Sequence, residues 1–278
     1  MVMTINTNIS ALQVTNALNQ NQTALQNSMQ KLSTGSRINT AADDPAGLAI
    51  SQGLQSQIGG LNQASSNAAD GISLIQTASG ALTQVSAILQ NVRDLAVQAA
   101  NDTENVASRG DIQTEVTSLA SELTRIGAST NFNGINLLDG TASALTFQVG
   151  SGSTAAANQI TLDLSGANAT SIGTAVAALT FDSAADAATS IAALDTQIQS
   201  VSTEQATLGA SQDRLQSTQQ SLAIDSENLT AANSQISDTD MASEMANFTK
   251  DNVLVQAGTA MLSQANQQSS LVLKLLQG

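Results

Sequence analysis

Almost all the side chains in this sequence that could do chemistry are carboxylates. With no His and no Cys among 278 residues, a nucleophile–base pair, a thiolate or a nitrogen- or sulfur-ligated metal cannot be built. Two acidic groups stand out, Asp43-Asp44 and Asp238-Thr239-Asp240. Such oxygen ligands suit a hard cation. Both, however, precede helical segments, where carboxylates accept hydrogen bonds from the open N–H groups of the first turn. Capping is the reading adopted, so no catalytic residue, cofactor or metal is expected. Gly47, Gly53, Gly59, Gly60, Gly71 and Gly80 lack phosphate-loop spacing. Each either lets helices approach closely or adds local flexibility, at about 1 kcal/mol relative to Ala.

Charge excludes another class. Eight Lys and Arg against a net charge of −14 cannot follow a phosphate backbone, so no nucleic-acid partner is expected. No basic residue falls between Arg125 and Arg214, a stretch holding Asp139, Asp163, Asp182, Asp186, Asp195, Glu204 and Asp213. These acids are expected to form an outward, mutually repelling surface, with a merely solvated face as the equal alternative. The longest apolar run near the C-terminus, Leu271 to Leu276, is interrupted by Lys274, so no membrane span is expected. MVMTINTNIS has neither a basic n-region nor an apolar h-region, so no cleavable secretory signal is expected.

The elements that carry these residues must be aliphatic and helical. Phe132, Phe147, Phe181 and Phe248 are the only aromatics. Asp44-Pro45 reads as a cap followed by the first helical position. From there, steps of three and four run through Ile50, Leu54, Gln57, Leu61, Ala64, Ala68, Gly71, Ile75, Ala78, Leu82, Val85, Leu89, Val92, Ala96 and Ala99, far beyond what a coiled-coil seam requires. At ~1.5 Å per residue that helix spans about 75 Å, a rod rather than a ball. Ile58, Ile72, Ile88 and Leu95 widen the stripe, so more than one partner helix is needed. One partner carries Ile112, Val116, Leu119, Leu123 and Ile126 and ends in the turns around Asn133-Gly134 and Asp139-Gly140. The other carries Leu194, Val201, Leu208, Leu215, Leu222, Leu229 and Ile236 at every seventh residue. Beside it, Ile191 and Ile198 give way to Gln205, Gln212, Gln219, Ser226 and Asn233, which are expected to be exposed, with polar groups that fix the register of the seam as the alternative. Leu145, Phe147 and Val149, with Ile160, Leu162 and Leu164, read as a β-hairpin near 142–165. The segment 166–178 is left open between helix and loop.

Both ends are thin amphipathic helices. One carries Ile5, Ile9, Leu12, Leu18, Leu25, Met29 and Leu32; the other carries Met241, Met245, Phe248, Val255, Leu262, Val272, Leu275 and Leu276. Their stripes are expected to lie uncovered within one molecule and to be covered by neighbouring copies, so these residues form the expected assembly interface. The fold class is therefore all-α dominated, a long antiparallel helical rod or coiled coil with one small β-hairpin, its terminal helices pairing as a coiled coil. Expected divisions are 1–43 and 237–278 for the two terminal halves and 44–236 for the rod.

INTNISALQ, QKLSTGSRINTAADDPAGLAI, NVRDLAVQ, STNFNGINLLDG, ISDTDMASEMANFTKDNVLVQAGTAMLSQAN and LVLKLLQG, in this order, strongly resemble bacterial flagellin over most of the chain outside roughly 141–190. The resemblance implies an extracellular filament subunit of the bacterial flagellum, with short central region. It implies a homo-polymer as partner, together with flagellar cap and hook-junction proteins and an export chaperone. Gln235 and Gln268-Ser269-Ser270 depart from the family pattern, and they bear on terminal packing. Family members recognised by the vertebrate innate flagellin receptor carry Arg, Leu and Glu where this chain has Asn91, Leu95 and Glu115. Asn lacks the fork of donors that Arg supplies, so weakened recognition is expected; for Leu95, core packing is the preferred reading. The competing function is a monomeric secreted helical adhesin or binding module presenting the 141–190 region.

Overall fold

The computed structural model describes residues 8–142 and 144–277, with side chains described as far as Gln267. In chain order the elements are α1 (Ile9–Thr34), α2 (Pro45–Ala99), α3 (Val106–Ser129), β1 (Asn131–Phe132), β2 (Ile135–Asn136) and β3 (Ala144–Gln148). Next come α4 (Ala155–Asn158), β4 (Gln159–Asp163), α5 (Ala169–Ala177), α6 (Ala184–Ser237) and α7 (Met241–Gln277). Short polar side chains start the helices by satisfying open N–H groups. Asn8 accepts from the Ala11 N–H, Asp44 from Gly47 at 2.9 Å, Asn105 from Ser108, and Asn168 from Ser171. At the other end of α1, Gly35 takes φ 71° and its N–H reaches the Lys31 carbonyl, a left-handed cap that a side chain would strain.

Contacts divide the chain into two units, one of residues 57–227 and one of residues 1–56 with 228–278. In the first, the seam of α2 is buried at every position of the sequence track from Leu61 to Ala99. Ile112, Val116 and Leu123 of α3 and Leu194, Val201, Leu208 and Leu215 of α6 complete a single aliphatic core. β3 and β4 pair antiparallel in the register Phe147↔Ile160 and Leu145↔Leu162. Asn67 of α2 donates to the Gln148 carbonyl at 2.9 Å, tying the hairpin to the helix. By length and composition, α2 is apolar enough to cross a membrane; in this fold its apolar side from Leu61 onward is core.

The structure adds to or changes several expectations. The turn at Asn133-Gly134 is flanked by a second small hairpin, β1–β2, with both turn residues left-handed at φ 49° and 80°, the backbone that a two-residue hairpin loop favours. The open segment 166–178 contains α5, which packs on α3. Glycine permits this closeness: a Cβ at Gly173 would lie 2.8 Å from the Thr124 nitrogen and 2.9 Å from the Ala120 carbonyl, and one at Gly127 would lie 2.7 Å from the Thr170 nitrogen. Among the glycines of α2, Gly47, Gly60 and Gly71 are close approaches, whereas Gly53, Gly59 and Gly80 face open space.

Gln205, Gln212, Gln219, Ser226 and Asn233 are half-buried rather than exposed. Within the first unit Ser226 donates to Asn62 at 3.2 Å, and within the second Ser51 donates to Asn233 at 2.7 Å, so part of the polar track is engaged between helices. The expected outward acidic surface fails at Glu204, which is only 9% exposed, whereas Asp195 stays outward and accepts from Arg93 of α2 at 2.6 Å, so there the charge is paired rather than repelled.

Candidate assembly interface

The second unit is built around α1 and α7. Their antiparallel pairing follows from its fixed points: Asn8 donates to the Ala265 carbonyl at 3.0 Å, Leu18 lies against Gly258, and the Thr239 N–H reaches the Gly35 carbonyl at 2.9 Å. Beyond α1, the connector is laced to the end of α6. The Arg37 N–H donates to the Ser237 carbonyl and its guanidinium to the Ile236 carbonyl, while Ser36 Oγ also reaches Ser237.

Both acidic groups of the sequence serve this junction. Asp43 accepts from the Thr40 N–H, the Thr40 hydroxyl and the Asn39 N–H, which hold its carboxyl below the usual carboxylate range. Asp238 is lowered by the hydroxyls of Ser234 and Ser237. Asp240 accepts from the N–H groups of Ala242 and Ser243 at the start of α7. These carboxylates are occupied as turn acceptors and caps.

Little of this unit is sealed. Among the described residues its buried hydrophobic side chains are Leu18 and Ile38. On α7 the better covered positions recur at 244, 248, 251, 255, 258, 262 and 265, in steps of four and three, and include the buried Asp251 and the small Gly258 and Ala265. On α1, the corresponding side carries Val14, Leu18, Leu25, Ser28 and Leu32. The expected stripe therefore splits in two. Leu18, Leu25, Leu32, Phe248, Val255 and Leu262 are buried or half-buried within the chain, contrary to the expectation that both stripes lie wholly uncovered. The reason is that each helix covers one side of the other. A second set has no cover: Ile9 and Leu12 are each 57% exposed, and Met29, Met241 and Met245 nearly half exposed.

The sequence reading missed three more exposed apolar residues on α7. Val253, Leu254 and Met261 fall off the seven-residue track, so that period conceals them; the run Val253-Leu254-Val255 is the available signal. Val253 and Leu254 join Met245, Ala246, Thr249 and Lys250 around an open groove of about 600 Å³. Ile5 lies outside the described residues, as do the side chains of Val272, Leu275 and Leu276 and the departures at Gln268-Ser269-Ser270. In the other unit, Asn91 of α2 and Glu115 of α3 are exposed, and Leu95 packs against the core.

A helical fold whose end helices pair while leaving large apolar side chains bare has the features of a structural, self-associating subunit. Comparisons with known proteins sharpen that class. Residues 5–143 match the family model for the bacterial flagellin N-terminal helical region, and residues 191–276 match that for the C-terminal helical region. A flagellin of Bacillus subtilis (strain 168) is 45% identical, covering 99% of this chain and 100% of that protein; one of Halalkalibacterium halodurans is 46% identical with the same coverage. A crystal structure of Bacillus cereus flagellin, 33% identical, aligns with a TM-score of 0.49 over 56% of this chain and 88% of that one.

The chain belongs to the bacterial flagellin family. It is a short flagellin, a structural subunit of the homopolymeric, extracellular flagellar filament that serves motility, and nothing in the fold or the comparisons favours the monomeric adhesin.

Proposed function

We propose that subunits join through the exposed face of the α1–α7 pair, with Ile9, Leu12, Met29, Met241 and Met245 covered by neighbouring copies, and Val253, Leu254 and Met261 joining them. One observation carries this: a unit with two buried hydrophobic side chains among its described residues retains at least eight large exposed ones on its two main helices. Exposure on that scale marks an interaction face. Ile5, Val272, Leu275 and Leu276, which lie outside the described side chains, are assigned to the interface from the sequence pattern alone. The pair gains most of its stability on polymerisation, so folding and binding are coupled there. Divisions near 43 and 237 mark where the terminal halves meet the remainder of the chain.

Sedimentation tests this reading. The full chain forms pelletable filaments at moderate salt, and Met245→Ser with Leu254→Ser leaves the protein folded but in the supernatant. Undiminished pelleting of that double variant would overturn it.

The same terminal faces are the natural contacts for flagellar cap and hook-junction proteins and for an export chaperone, since each must hold them before or beside a neighbouring subunit. Passage as an unfolded thread through the flagellum's own channel suits a chain with no cysteine and one proline. On the other unit, the exposed Asn91 and Glu115 are the surface available to the innate flagellin receptor. Recognition is weakened by Asn91, and Asn91→Arg increases signalling in a receptor assay if that assignment holds.

A further inference from the structure

The buried track of α6 contains a residue that neither filament assembly nor the aliphatic seam requires. Between the buried Val201 and Leu208 lies Glu204, three residues after one and four before the other, at a position where a coiled-coil seam takes an apolar side chain. Its Oε1 is shut off from solvent, and among the described residues no donor reaches it. Its Oε2 lies under the loop that follows β4, so close that a methyl group at Gly166 would strike it at 2.5 Å. The cover is therefore a thin loop, not deep core.

Among the described residues no cation neutralises the charge. From β4, Asp163 faces Glu204 with the same sign. Along α2 no ionisable residue occurs between Asp70 and Arg93, and α5 has none. Arg93 is bound to Asp195, and Arg125 of α3 to Glu122. A buried carboxylate without a cation or a donor is costly, and the neutral acid in the same place costs far less.

We propose that Glu204 is a proton-operated clasp, which seals the 164–168 loop onto α6 when it is protonated and loosens that loop when it is ionised. Burial first, and the negative charge of Asp163 second, push the Glu204 carboxyl above its ordinary value. The sign follows from linkage. With the folded value raised above the unfolded one, near 4.3, this group's contribution to stability grows as pH falls through the folded value and levels off below the unfolded value. That runs opposite to Asp43, Asp139, Asp163 and Asp238, whose carboxyls are lowered and which favour the fold only when ionised.

Thermal melting of the full-length monomer at pH 8 and pH 5 tests the clasp. Glu204→Gln, which mimics the neutral acid, raises the melting temperature at pH 8 by roughly 3 °C and removes that much of the gain which wild type shows on acidification. Asp163→Asn shifts the wild-type profile to lower pH. Curves of wild type and Glu204→Gln that run parallel at every pH would overturn the proposal. Should Glu204→Gln not fold, carboxyl-carbon NMR of wild type decides: titration of Glu204 above the other glutamates supports the clasp, and titration among them refutes it.

Discussion

One helix, α2, runs through two different environments. From Leu61 to Ala99 its seam is buried at every expected position, because α3 and α6 supply apolar partners on the sides it presents. At Ile50, Leu54 and Gln57, in the same register, the seam fails: Ile50 is 54% exposed, Leu54 half-buried and Gln57 exposed. The same contrast separates the two units, one with a continuous aliphatic core and the other, among the described residues, with Leu18 and Ile38 as its buried hydrophobic side chains. Apolar periodicity thus reports a surface that needs cover, and the chain itself supplies that cover only where further helices are at hand. On the proposed function, the uncovered part is where assembly acts.

The largest effect that would sharpen this contrast is a cavity. Leu89→Ala or Leu123→Ala, both fully buried, is expected to destabilise residues 57–227 by about 2–5 kcal/mol in urea unfolding. Leu12→Ala, by contrast, stays within about 0.5 kcal/mol in the monomer while raising the concentration needed for polymerisation. Similar monomer losses for both would erase the distinction.

A smaller break is Gly173→Ala, whose methyl meets the backbone of α3. It costs about 1–3 kcal/mol and increases hydrogen exchange in α5, leaving α1 and α7 unchanged. Smaller again is Asp44→Ala. Loss of its bond to the Gly47 N–H costs about 1 kcal/mol, read as faster exchange over the first turn of α2 and no change from Leu61 onward.

Acid sharpens the contrast at the junction. Asp43 and Asp238 have lowered carboxyls, so the support they give is present above the unfolded value near 3.9 and lost as pH falls through their folded values. Proteolysis in the connector 35–44 is therefore expected to begin at lower pH than neutral storage would reveal, and Asp43→Ala brings it to neutral pH.

Much of the fold was legible in the sequence because long helices repeat their signal. Fifteen positions of the α2 track and seven leucine-type positions of α6 leave little room for another periodicity, and Asp44-Pro45 marks one end without ambiguity. Short or nonlocal features were harder. α5 is Ala- and Thr-rich, and what fixes it is the close approach of Gly173 to α3, which appears only in three dimensions. Glu204 was read as surface because a charged residue is rarely buried without a partner. On the terminal helices the period marked Ile9, Leu12, Met29, Met241 and Met245, which the structure leaves exposed, but it could not separate them from Leu18, Leu25 and Phe248, since which side of a thin helix faces its mate depends on the pairing. Val253 and Met261 were missed because α7 is apolar on more than one side.

The central claim is that α1 and α7 depend on neighbouring copies whereas the seam of α2 from Leu61 does not. Hydrogen exchange measured on dilute monomer and on filaments of the same protein tests it most directly. The account predicts rapid exchange through Ile9–Thr34 and Met241–Gln267 in the monomer, strong protection of both in the filament, and strong protection of Leu61–Ala99 in each. Equal protection of all three segments in the monomer would contradict it.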